Sequence, residues 1–159
     1  MSILLNPIGV IHSPFTDPTS MPIQPVSENS AAGTVEVFAE FEEGLKDLDG
    51  FSHIILLYHF HRSRPHSLSV TPFLDTEARG LFATRAPNRP NPIGLSLVRL
   101  TGIEGTRLHI DNIDVLDGTP LLDIKPHVPE FDCAPDARVG WLKKAAAAMR
   151  KKVADGRFT

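Results

Sequence analysis

The chain has a single cysteine, Cys133, among its 159 residues, so no intramolecular disulfide can form and no cysteine pair stands at metal-ligand spacing. That usage predicts a protein of a reducing compartment, the cytoplasm. Long apolar runs are missing as well. The longest, Ile54 to Tyr58, falls far short of the ~20 residues that a membrane-spanning helix needs, so no membrane partner is expected. Residues Met1 to Pro7 hold no basic segment and only a brief apolar run, which predicts no secretory leader. No Gly-x-Gly-x-x-Gly follows a strand and no P-loop is present, so a nucleotide-like ligand needs a cradle other than a Rossmann or Walker site. There is no Gly-x-Ser-x-Gly elbow and Cys133 has no evident partner, which leaves covalent catalysis without support. Seven histidines are present, and the even spacings of His53, His59 and His61 place them on one face of a regular strand. No carboxylate or cysteine stands among them at ligand spacing, so no metal is expected.

What is present is a split of charge. Residues 1–136 carry nine basic and eighteen acidic side chains, a net of −9, whereas 137–159 carry seven basic side chains against Asp155 alone, a net of +6. The length fits one domain, an acidic body of 1–136 followed by a basic helix and tail of 137–159. In that tail Leu142, Ala145 or Ala146, Met149 and Val153 line one stripe from Ala137 to Val153, with Asp136 as N-cap. The basic residues crowd its last turns, where they complement the helix dipole.

Strand signals fill the body. Ile8 to His12 is β-branched and closed by Ser13-Pro14, and a long Pro- and Ser-rich stretch from Pro14 to Gly33 follows. Thr34 to Phe38 alternates. Phe41, Leu45 and Leu48 predict a short helix stopped by Gly50. His53 to His61 is apolar on both faces and reads as a central strand, and Leu81 to Arg85 as a shorter one. Gly94 to Leu100 and Arg107 to Asp111 flank Gly102 and Gly105 as a hairpin, and Leu121 to Ile124 completes the set. The composition is mainly β: an antiparallel barrel or sandwich with a short helix and a C-terminal α-helix.

Two segments carry unusual chemistry. In Phe82-Ala83-Thr84-Arg85-Ala86-Pro87-Asn88-Arg89-Pro90-Asn91-Pro92-Ile93-Gly94, three prolines within six residues stiffen a loop that presents Arg85, Asn88, Arg89 and Asn91. A stiff loop loses little entropy on binding, and its guanidinium groups suit a carboxylate or phosphate. A rigid turn with solvated arginines is the alternative. The second segment runs from Asp114 through Asp117-Gly118-Thr119-Pro120 to Pro126. Its turn exposes backbone groups able to read the edge of a flat heterocycle, and Asp114, Asp117 and Asp123 favour a cationic ligand; a plain hairpin turn has the same signature.

With these residues in view the chain resembles the TrmO (YaeB, TsaA-like) family of S-adenosylmethionine-dependent tRNA methyltransferases. The matching pieces are Ile8 to Pro14, Gln24-Pro25, Phe51-Ser52-His53 through Phe60-His61, Phe82 to Arg85 with Arg89 to Gly94, and Asp117 to Pro120 with Asp123 to Pro126. The resemblance implies a β-barrel with an S-adenosylmethionine pocket at a homodimer interface. It also implies methyl transfer to N6 of a threonylcarbamoyl-adenosine beside the tRNA anticodon. On this basis the cofactor candidates are Gln24, Pro25, Phe60, His61, Arg89, Pro90, Asn91, Leu116, Asp117, Gly118, Thr119 and Pro120. The catalytic candidates are His61 as base and Arg85 or Arg89 as holder of the threonyl carboxylate. Two departures stand out: Ile23 replaces the arginine usual before the loop glutamine, and one basic helix stands where longer bacterial members have a further domain. They motivate two alternatives, an S-adenosylmethionine sensor without methyl transfer and a small-molecule methyltransferase.

Overall fold

A computed structural model describes residues 1–21, 31–73 and 75–145. Six strands close into an antiparallel barrel in the order β1-β2-β7-β6-β3-β8. They are β1 (Gly9–His12), β2 (Ala31–Val37), β3 (His53–His59), β6 (Ile93–Glu104), β7 (Arg107–Ile113) and β8 (Thr119–Pro126). The short strands β4 (Ser69–Val70) and β5 (Arg79–Gly80) form a separate pair inside the connection from β3 to β6. The barrel, rather than the sandwich, is the outcome, and closure leaves the six strands without a free edge.

Alternation along each strand fills the interior. Ile11, Val35, Ile54, Leu56, Val98, Leu108, Ile110 and Leu121 are all buried, and burying each contributes ~1.5–3 kcal/mol. One strand inverts the hydrophobic rule. In β6 the inward positions are Gly94, Ser96, Val98 and Leu100, while Ile93, Leu95 and Leu97 face out. The register explains why: Tyr58 of β3 lies opposite Gly94, and a Cβ on Gly94 would overlap the Tyr58 ring. A small residue is needed there to admit the ring, which fixes the face that Ser96 and its neighbours occupy. Register shifts at Ala31/Gly33, Leu57/Tyr58 and Leu100/Gly102 supply the local bends that a small closed barrel requires.

Three local expectations change. Leu81 to Arg85 is not a strand; Leu81–Ala83 is a 3-10 turn, closed by the Thr84 amide and hydroxyl on the Leu81 carbonyl at 3.0 and 2.7 Å. The helix expected from Phe41 to Asp49 is two 3-10 segments, Ala39–Leu45 and Leu48–Gly50, separated where Asp47 takes a left-handed φ of 67°. At the C-terminus, Asp136 does not cap an α-helix. Gly140 at φ 55° interrupts the stripe, and Gly140–Lys144 is a 3-10 turn; the expected helix beyond Ala145 lies outside the described residues. A four-residue helix not foreseen, α1 (Pro129–Asp132), follows β8, with its Asp132 carboxylate accepting from the Val128 amide at 2.8 Å.

Topology places the interesting loops. Because every paired strand is antiparallel, β1, β3 and β7 run one way and β2, β6 and β8 the other. The connections leaving His12, His59 and Ile113 therefore start from one end of the barrel, here called the mouth. Residues 38–52 and the β6–β7 hairpin lie at the opposite end.

Candidate active site

The mouth brings together most of the residues singled out from sequence. The β7–β8 turn is its firmest part. Gly118 adopts φ 77°, a conformation that glycine takes without strain, and its amide donates to the Ile11 carbonyl at 2.9 Å. The Asp117 amide donates to Phe15 O at 2.8 Å, while its carboxylate accepts from the Ser13 amide at 3.1 Å and lies 3.3 Å from His12 Nδ1. Ser13 Oγ in turn donates to Val115 O. The segment after β1 and the turn before β8 are thus tied into one rigid wall.

His61 stands against this wall. Its Nδ1 is 3.4 Å from Thr119 Oγ1, and the buried Thr119 hydroxyl donates to Leu116 O at 2.7 Å. A hydroxyl has one proton, so the first contact is a hydrogen bond only in the tautomer with the proton on Nδ1, which leaves the lone pair on Nε2. Burial, then the nearby Arg62 and His59, lower the His61 pKa below the ordinary imidazole value. The ring is therefore neutral at neutral pH and, in that tautomer, basic at Nε2. Phe60, half-buried, packs edge-on against Tyr58 at 5.4 Å and holds the Pro-rich loop by donating its amide to Pro92 O at 2.8 Å.

The Pro-rich loop is stapled from within. Arg89 Nη1 donates to the carbonyls of Thr84 at 3.0 Å and Ala86 at 3.2 Å, and the guanidinium lies over the Phe82 ring at 5.8 Å. Asn88 Oδ1 accepts from the Arg64 amide at 2.8 Å, and Asn91 O from Ile93 N at the same distance. Pro90 and Asn91 are exposed, as is Arg85. Gln24 and Pro25 lie outside the described residues.

A buried polar chain behind the mouth was not picked out as a unit by sequence reasoning. Ser96 Oγ donates to Asp114 Oδ1 at 2.6 Å, so the 2.9 Å contact between Tyr58 and Ser96 is a donation from the tyrosine. Burial pushes the Asp114 carboxyl up to about 7, against the lowering effect of the Ser96 hydrogen bond and the charge of Arg85. Burial and the Asp114 charge likewise raise the Tyr58 phenol well above its usual range. Arg85 thus lies within electrostatic reach of both groups. The only signal in the sequence was a serine flanked by leucines in an otherwise apolar strand.

The mouth combines a neutral imidazole, a guanidinium, a titratable carboxyl and a glycine turn beside half-buried Phe60 and Leu116. This donor set fits a ligand that has an aromatic ring together with cationic and anionic groups. Among the described residues no group of three or more His, Cys, Asp or Glu is arranged to hold a metal.

The tRNA-methyltransferase O N-terminal domain family matches residues 10–133. The chain belongs to this family. Its likeness to individual members is extensive. A probable S-adenosyl-L-methionine-binding protein of Pyrococcus abyssi is 56% identical over 158 residues, covering 99% of this chain and 86% of that protein. The tRNA (adenine(37)-N6)-methyltransferase of Escherichia coli is 37% identical over 157 residues, covering 92% of this chain and 67% of that one. Crystal structures agree: TrmO from Pseudomonas aeruginosa superposes with a TM-score of 0.75 at 43% identity, over 89% of this chain and 63% of the solved one. The family's match takes in the three mouth segments, and the chain spans less than two thirds of the solved TrmO chain.

Proposed function

We propose that this protein is an S-adenosylmethionine-dependent methyltransferase that methylates N6 of threonylcarbamoyl-adenosine beside the tRNA anticodon. The observation that carries the reading is convergence: Ser13 to Asp17, His61 with the Arg85-to-Pro92 loop, and Leu116 to Pro120 leave three different strands at one barrel end. Gln24 and Pro25 complete the cofactor set on the strength of the family likeness.

S-adenosylmethionine supplies a methyl group on a sulfonium, already activated for in-line displacement. The chain's task is then mainly placement and proton transfer. His61 Nε2 accepts the N6 proton, which the carbamoyl group has made more acidic than that of an ordinary exocyclic amine. Arg85 or Arg89 pairs with the threonyl carboxylate, for which a guanidinium fork is suited. The Leu116-to-Pro120 turn and Phe60 line the cofactor side. The target base lies in a single-stranded loop and reaches the mouth without opening a duplex.

Two further expectations belong to this reading. The outward row Ile93, Leu95 and Leu97, exposed at 41%, 47% and 39%, forms with Ile55 and Leu57 an apolar sheet face suited to a second copy of the chain. A homodimer through that face, in the cytoplasm, is part of the proposal. So is the division into a barrel of 1–136 and a basic appendage of 137–159. Among the described residues no helix is long and apolar enough to cross a membrane.

The test is direct. Purified protein, S-adenosylmethionine and tRNA bearing threonylcarbamoyl-adenosine should give the N6-methylated nucleoside by mass spectrometry. Absence of product under conditions where the cofactor binds would favour a second reading, a binding module that senses S-adenosylmethionine. That reading draws on the name of the Pyrococcus relative, which records binding alone.

A further inference from the structure

The long connection from β3 to β6 carries more than the candidate catalytic groups. Phe82 stands on the Leu81–Ala83 turn with 74% of its surface exposed, so burial does not explain its presence. Its ring has the Arg89 guanidinium over it at 5.8 Å. The next residue, Ala83, accepts a hydrogen bond through its carbonyl from Trp141 Nε1 at 2.8 Å. That contact brings the C-terminal segment back from the end of β8 to this connection and fixes the indole by its polar edge. The half-buried Trp141 ring has its own guanidinium, Arg79, at 5.7 Å from the centroid. Arg79 is held in turn by Asp75 at 2.6 Å and Glu77 at 3.1 Å. Two aromatic residues, each paired with an arginine whose position is fixed by other contacts, therefore meet at neighbouring positions of one turn, Phe82 standing on it and Trp141 bonded to the carbonyl of Ala83.

Charge favours a polyanion on the same side. The connection 60–92 has Arg62, Arg64, Arg79, Arg85 and Arg89 against Asp75 and Glu77, and 137–145 adds Arg138, Lys143 and Lys144 with no acid. The far end of the barrel is opposite in sign: 38–52 has Glu40, Glu42, Glu43, Asp47 and Asp49 against Lys46. An approaching polyanion is drawn to the loop side and repelled from the other end. Aromatic faces and guanidinium planes are the surfaces on which unpaired bases stack.

We propose that Phe82 with Arg89, and Trp141 with Arg79, form a stacking platform for unpaired bases of the RNA loop whose adenosine enters the mouth. The proposal rests on the tRNA reading above and adds where the rest of the loop lies. It gives Trp141 a place in substrate binding rather than in barrel packing.

Trp141 is the chain's single tryptophan, so its emission in the full-length protein reports this surface alone. Titration with an anticodon stem-loop RNA should quench that emission, and a blunt duplex of equal charge should quench it far less. Phe82→Ala should weaken stem-loop binding about tenfold, the loss of one stacked base. Its salt dependence should be unchanged, because no phosphate contact is removed. Phe82→Tyr should restore affinity, and S-adenosylmethionine binding by calorimetry should match wild type. Wild type that binds no RNA would overturn the tRNA reading and the platform together. Wild type that binds RNA, with Phe82→Ala equally tight, overturns the platform alone. A change of sedimentation mass in Phe82→Ala also overturns it, since Phe82 is then covered by a second copy.

Discussion

Replacing Asp114 by asparagine should make the protein more stable at neutral and alkaline pH, although the carboxylate accepts a 2.6 Å hydrogen bond. The Asp114 pKa rises from 3.8 to about 7, with burial the largest cause. Between those values the folded state holds a proton that the unfolded chain has released. The contribution to stability is thus complete below pH 4 and declines as pH rises to 7. A rise of about three units at 1.36 kcal/mol each sets a ceiling of ~4 kcal/mol on the loss. Between pH 5 and pH 8 only the two units up to pH 7 count, ~2.7 kcal/mol at most, and solvent access to the residue brings the expected figure to about 1–2.5 kcal/mol. Asparagine keeps an oxygen to accept from Ser96 and has no charge to bury. Urea denaturation of wild type and Asp114→Asn at pH 5 and pH 8 isolates the effect, because every other titrating group is common to both. Wild type should lose about 1–2.5 kcal/mol more than the variant between the two pH values. Parallel pH dependences would refute the claim that burial outweighs the Ser96 and backbone hydrogen bonds and the charge of Arg85 at this carboxyl.

Other consequences can be checked separately. His61→Gln should lower kcat by roughly a hundredfold or more if Nε2 takes the N6 proton; the acid limb of the wild-type kcat profile should lie below the ordinary imidazole pKa and vanish in the variant. Gly94→Ala should destabilise by about 1–3 kcal/mol in thermal or urea unfolding, because its methyl overlaps the Tyr58 ring. In a Tyr58→Ala background, itself destabilised, the same glycine substitution should cost less, which an unrelated defect would not allow. Leu95→Lys with Leu97→Lys should convert a dimer to monomer in sedimentation with the barrel's circular dichroism intact; a dimer that persists locates the interface elsewhere.

Much of the fold was legible because strand patterns are local. The runs at Ile8, Thr34, His53, Gly94, Arg107 and Leu121 all became barrel strands within a few residues of their expected ends. The misreadings share a cause. Leu81 to Arg85 looks like a strand by composition, yet Thr84 bonds back to Leu81 and turns the chain. The C-terminal stripe is helical in period, yet the positive φ of Gly140 prevents a helix from starting at Ala137. In each case one residue's backbone or side-chain hydrogen bond overrides a window average.

The candidate site divides along the same line. The stiffness of the Pro-rich loop and the sharp turn at Gly118 follow from proline and glycine geometry, so the sequence alone determined which segments are rigid. It also fixed the separation of an acidic body from a basic C-terminus. Tertiary structure decided what those segments meet. Only strand pairing brings Thr119 to His61, 58 residues away, and sets its hydroxyl 3.4 Å from Nδ1 of the ring. The size of the Tyr58 ring, not hydrophobicity, turns Ser96 inward and Leu95 outward, creating both the buried Asp114 chain and the exposed apolar face. Contacts between residues far apart in sequence depend on register, and register is set by the packing of the whole barrel rather than by any one strand.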